Sequence, residues 1–111
     1  GKLFLSKIPK DKRHALLEQT KLEALTPNTL TNIEELDAEL ERINVRNVSI
    51  DNEEFVLGIT CIAVPIFDDK QNCIAAIAMH GQVATTPLTV SLSFIPRLQT
   101  AAQELAKTFG F

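Results

Sequence analysis

The chain has 111 residues, 45% apolar and 23% charged, with a net charge of −3. That length suits one small domain rather than two, and the negative balance argues against this piece holding nucleic acid through phosphate contacts. No apolar run reaches the length of a membrane span, and no signal-peptide pattern is present.

The first residue is Gly1 rather than Met, and Leu3, Phe4 and Leu5 follow at once, which reads as a chain beginning inside a folded protein. Residues 2–8 form an apolar, helical stretch ending at Pro9. Lys10–Thr20 carries Ala15, Leu16 and Leu17 between charged residues and predicts a short surface helix. Six basic residues (Lys2, Lys7, Lys10, Lys12, Arg13 and Lys21) crowd this region. They fit a solvated helix face, or else a basic surface for an acidic partner. His14 on the same helix is expected at the solvent.

Thr26-Pro27-Asn28-Thr29 reads as a turn, because Pro presets φ and Asn tolerates turn geometry. The next helix has the strongest local signal. Asn32 and Glu35 have capping-box spacing, and Ile33, Leu36, Leu40 and Ile43 form one apolar stripe. The acidic residues Glu34, Glu35, Asp37, Glu39 and Glu41 are expected on its solvated side, and Asn44–Asn47 breaks the pattern. Val48–Ile50 begins strand-like sequence, and Asp51-Asn52-Glu53-Glu54 is an acidic corner.

Two β-rich runs follow, Ile59–Phe67 and Cys73–His80, and together they predict a hairpin over about 58–81. Gly81–Pro87 is then a loop. Ile95, Leu98, Ala102, Leu105 and Phe109 recur three or four apart on a last helix, with Pro96 in its first turn or at a kink and Gly110 as its stop.

A four-residue hairpin loop, Asp68–Gln71, pairs Phe67 with Asn72, Ala63 with Ala76, Cys61 with Ala78 and Ile59 with His80. Side chains alternate across a strand, so Ile59, Cys61, Ala63, Ala76, Ala78 and His80 share a face. That face is low in volume with one polar group at its rim. The opposite face carries Ile62, Val64, Ile66, Ile77 and Met79, suited to a helix-packed core. Space over small residues is filled by a ligand or by a closely packed helix, and composition leaves both open. In this register Cys61 and Cys73 point to opposite faces and cannot pair. Two cysteines indicate no disulfide scaffold, so a reducing, cytoplasmic setting is expected.

The segments Gly1-Lys2-Leu3-Phe4-Leu5, Leu25-Thr26-Pro27-Asn28-Thr29, Asp51-x-Glu53-Glu54-x-x-x-Gly58-Ile59-x-Cys61-Ile62-Ala63 and Pro65-x-Phe67-Asp68 occur in that order. Together they resemble the C-terminal effector-binding domain of the IclR family of bacterial transcription regulators, along essentially the whole chain. The resemblance implies an α+β, GAF-like fold: a curved antiparallel sheet packed by helices. It also implies a small-molecule effector, often a carboxylic acid, self-association as a dimer or tetramer, and DNA contact only through an N-terminal winged helix-turn-helix. That domain and about half of the sensor would lie outside residues 1–111.

Carried over by position, the family's polar pocket residues fall on Asp51, Cys61, Ala78 and His80, with Ile59 as an apolar wall. Members sensing small oxo-acids carry Ser where Ala78 and His80 stand, which points away from that ligand class. Phe94-Ile95-Pro96-Arg97-Leu98 with Ala101-Ala102 is similar to the subgroup regulating aromatic-acid catabolism.

His80 suits a carboxylate, since imidazole donates hydrogen bonds and changes charge near neutral pH; a backbone-bonded strand-end histidine is the alternative. Asp51 fits a ligand hydroxyl, a partner orienting His80, or a corner that accepts backbone N–H groups. Asp51, Cys61 and His80 also compose a possible zinc or nucleophilic set, but no HExxH-type spacing or nucleophile turn accompanies them. No cofactor, metal or catalysis is therefore expected. An oligomerisation module with its small-residue face covered by protein is the competing reading.

Overall fold

The computed structural model describes residues 1–110. Three antiparallel strands, β1 (Ser49–Asn52), β2 (Ile59–Phe67) and β3 (Cys73–Gln82), form one sheet in the order β1-β2-β3. Helices α1 (Lys2–Ser6), α2 (Lys10–Glu18) and α3 (Ile33–Arg46) precede the strands, and α4 (Leu88–Leu92) and α5 (Ile95–Thr108) follow. No helix among the described residues is long and apolar enough to cross a membrane.

The sheet has a core on each side. Val48, Ile62, Val64, Ile66 and Ala102 are buried together, with Ile77, Leu92, Ile95 and Leu98 against them, so the aliphatic face of the hairpin packs on α4 and α5 as expected. Leu3, Leu17, Leu36, Leu40 and Ile43 form the other core, which reaches the sheet at Ala63 and Ala76. The apolar stripe of α3 thus faces α1 and α2. Asn32 caps α3 by accepting from the Glu35 amide at 3.1 Å. This helix continues through Asn44–Arg46 and stops only where Asn47 takes a left-handed φ of 56°. Asparagine is among the few residues that adopt that conformation readily, so the break comes three residues later than the sequence pattern suggested.

Two polar residues expected on solvated faces are instead buried. Arg13 is 1% exposed and Asp37 8%. The Arg13 guanidinium donates to Asp37 Oδ1 at 2.9 Å and to Glu41 Oε1 at 2.8 Å, tying α2 to α3. His14, expected at the solvent, is half-buried between Asp37 Oδ2 (2.9 Å) and Glu18 Oε1 (3.0 Å). Burial of an ion pair needs a partner on another element, and a single-helix pattern carries no information about that partner.

The hairpin register is offset by two from the predicted one. Cys61 pairs with His80, Ala63 with Ala78, Pro65 with Ala76 and Ile59 with Gln82. Two local features cause the offset. The loop contains five residues, because Phe67 pairs with Cys73 and Asp68 Oδ1 accepts from the amides of Lys70 and Asn72. The register then shifts again between Ile66 and Phe67, leaving Ile74 as the extra residue of a β-bulge. Each feature displaces β3 by one residue, so the two parity changes cancel. Ile59, Cys61, Ala63, Ala76, Ala78 and His80 keep a common face.

Cys73 lies beyond the bulge, opposite Phe67, and so loses the assignment to the face opposite Cys61. Both cysteines are free thiols. Their separation rests instead on the six residue steps from Cys61 to Phe67, about 20 Å along a strand.

Candidate functional site

β1 pairs with β2 so that Asp51 stands opposite Cys61, and β2 pairs with β3 so that Cys61 stands opposite His80. Asp51, Cys61 and His80 therefore form one row across all three strands, and Ser49, Ala63 and Ala78 form the next. Cys61 Sγ lies 3.9 Å from His80 Nε2. The two-residue offset produces this row, since the predicted register set Cys61 against Ala78 and left His80 one pair away.

Asp51 is half-buried at the end of β1, and its Oδ1 accepts from the Glu54 amide at 2.7 Å. The acidic corner around it is braced throughout. Gly58 N–H donates to Glu53 Oε1 at 2.8 Å, Lys2 pairs with Glu54 at 2.8 Å, and the Thr26 and Thr29 hydroxyls donate to the carbonyls of Glu53 and Glu54. Glu53 itself has a φ of 57°, which makes the reversal after β1. These bonds hold the Asp51 end of the row in place. Burial pushes the Cys61 thiol above its usual range, and the nearby Asp51 charge adds to the effect. A thiol so held is a poor nucleophile. Among the described residues, no group of three or more His, Cys, Asp or Glu is placed to hold a metal ion.

The small-residue face is divided. Ala63 and Ala76, toward the turn, pack against the helical core built on Leu3 and Leu40. Ile59 and Cys61 are half-buried, while Ala78 and His80 are exposed. A covering helix thus accounts for one half of this face and leaves the other open. Sequence reading missed Gln82, which the longer β3 places opposite Ile59, and Ser49, which lies beside Ala63. The alternation of β3 continues past His80, but Gly81 reads as a strand stop and concealed it. A groove of about 590 Å³ lies elsewhere, between α5 and the hairpin turn, lined by residues including Phe67, Gln99, Gln103 and Lys107.

The layered α+β arrangement, with its three-stranded antiparallel sheet and one partly open face, is that of a GAF-like domain. A family model described as bacterial transcriptional regulator IclR C-terminal matches residues 1–107. The chain belongs to this family: it is an IclR-type C-terminal domain of a transcriptional regulator. It is 35% identical over 109 residues to a protein named probable transcriptional regulator SauR from Cupriavidus necator, covering 98% of this chain and 43% of SauR.

Among solved structures, that of Thermotoga maritima IclR is 32% identical with a TM-score of 0.83, over 99% of this chain and 44% of that one. The inducer-binding domain of a double mutant of the transcription factor PobR from Acinetobacter, in complex with 3-hydroxybenzoic acid, is 27% identical with a TM-score of 0.88. That match covers 95% of this chain and 62% of that one. The chain therefore spans less than half the length of SauR.

Proposed function

We propose that this domain binds a small carboxylic or aromatic acid at the face bearing Asp51, Ile59, Cys61, Ala78 and His80, and that binding modulates DNA binding by a separate domain of the regulator. The observation that carries the reading is the Asp51–Cys61–His80 row beside exposed Ala78 on a half-open sheet face. Small side chains leave volume there, and three polar groups of different chemistry border it. The PobR inducer-binding domain with its bound aromatic acid supports the ligand class. Ala78 and His80, in place of serines, argue against the smallest oxo-acids.

In this reading DNA is contacted by an N-terminal winged helix-turn-helix outside these 111 residues. The regulator works in the cytoplasm as a dimer or tetramer, and an effector acts through its differential affinity for two conformations. Its relatives are regulators rather than enzymes, and no cofactor is part of the proposal.

Calorimetric titration of aliphatic and aromatic acids into the complete effector domain tests the assignment. Ala78→Leu fills the open floor at an exposed position, so the fold is kept and affinity is expected to fall at least about ten-fold. Equal affinity in the two proteins would place the site elsewhere. The packing of Ala63 and Ala76 under helices favours a second reading, in which a partner subunit covers the remainder of the face. That reading requires no acid to bind saturably and Ala78→Leu to change the oligomeric state.

A further inference from the structure

The row that crosses the sheet is polar at both ends, and the two ends differ. At the β1 end, Asp51 Oδ1 is committed to the Glu54 amide, which leaves Oδ2 able to accept from a ligand. An ionised carboxylate accepts hydrogen bonds and donates none. Its charge reaches the centre of the row, where it contributes, after burial, to holding the Cys61 thiol protonated. An anionic ligand group is therefore disfavoured on the β1 side.

At the β3 end, His80 is exposed and its ring inclines toward the centre, with Nε2 3.9 Å from Cys61 Sγ. Imidazole supplies an N–H donor in either tautomer and two when charged. Between the ends lie Cys61 and, one row on, the exposed Ala78, which offer a floor with no strong donor. Two inter-strand steps place the β1 and β3 backbones about 10 Å apart, which sets the span between the two polar ends.

We infer that the effector is bipolar, a hydroxy- or amino-substituted acid lying across the strands with its donor group at Asp51 and its carboxylate at His80. This assignment rests on the effector-binding reading above and adds a ligand class and an orientation. It also gives the Asp51 carboxylate a use in an acid-binding site: it selects against acids that lack a donor at the far end.

The experiment titrates matched probes into the complete regulator. One triad is 3-hydroxybenzoate, benzoate and 3-hydroxybenzyl alcohol, and a second, aliphatic one is 3-hydroxybutyrate, butyrate and 1,3-butanediol. In at least one triad the hydroxy acid binds ten-fold or more tighter than either of its partners. Asp51→Asn keeps an acceptor for the Glu54 amide and removes the charge. It should tighten binding of the plain acid and shrink the hydroxyl preference to less than about three-fold. His80→Ala should abolish the preference for the acid over the alcohol and leave the hydroxyl preference in place.

Benzoate and butyrate each binding as tightly as its own hydroxy acid overturns the bipolar class. An undiminished hydroxyl preference in Asp51→Asn overturns the orientation. In both cases saturable binding leaves the effector reading standing. Absence of saturable binding across both triads overturns the class and the effector reading together.

Discussion

Gly81 shows how closely α4 approaches the sheet. A Cβ at this position would lie 3.0 Å from Ser91 Oγ and 3.3 Å from Thr60 Oγ1. Both hydroxyls are buried and have no protein hydrogen-bond partner. Gly81→Ala is expected to destabilise the domain by about 1–3 kcal/mol, because a packed interface does not admit an extra carbon without shifts. Ser91→Ala removes both the obstruction and an unsatisfied hydroxyl, whose burial costs about 1–3 kcal/mol. It should therefore be neutral or stabilising alone and reduce the cost of Gly81→Ala in the double variant. Urea denaturation of the four proteins checks the cycle. At the candidate site, the identities of Asp51, Cys61 and His80 were legible from the residues and the family pattern, but their alignment in one row was not. A loop one residue longer and a bulge at Ile74 set that alignment, and both depend on backbone geometry around Asp68 that the hairpin rules leave open.

The junction of α2 with α3 is held by Arg13, His14, Asp37, Glu18 and Glu41. Arg13→Met leaves the Asp37 carboxylate buried without its guanidinium and should cost about 3 kcal/mol, read from the urea midpoint. The hydrogen bond from His14, followed by the pairing with Arg13, holds Asp37 below the usual carboxylate range. The bond to Asp37, and then the Glu18 charge, raise His14 above its ordinary value near 6.5. A raised histidine stabilises the fold fully below its unfolded pKa and loses that contribution as pH rises through the folded value. A lowered aspartate does the reverse, losing its contribution as pH falls through the folded value. The stability difference between the native protein and His14→Gln should therefore be present at pH 5.5 and vanish by pH 9, measured by urea denaturation at each pH. A difference that persists at pH 9 would show that His14 acts by packing and not by charge.

For the whole molecule, a ligand that binds only the native state adds about 2.7 kcal/mol of stability at a hundred times its Kd. An acid effector should thus raise the thermal midpoint of the complete domain with a logarithmic dependence on concentration. The same acid should change operator affinity of the complete regulator, read by fluorescence anisotropy of labelled DNA. A thermal shift with no change in operator affinity would identify a ligand that binds both regulatory states equally. The two cores differ in a way that fits the proposed effector binding. The aliphatic face packs against α4 and α5, while the small-residue face is only half covered by α1–α3.

Local sequence determined the elements whose signals are periodic: the buried stripe of α3, the strands β2 and β3, and the two dissimilar faces of the hairpin. Periodicity survives because it is a property of one segment and one solvent boundary. The five-residue helix α4 escaped notice, since so short a segment, carrying Thr89 and Val90, offers less than two turns of pattern. Tertiary structure alone decided which charges are buried and which half of the small-residue face stays open. Each of these depends on a partner far along the chain. Arg13 is buried because Asp37 is there to meet it, and Ala63 is covered, with Ala78 left bare, because the core of α1–α3 packs on the turn side of the face.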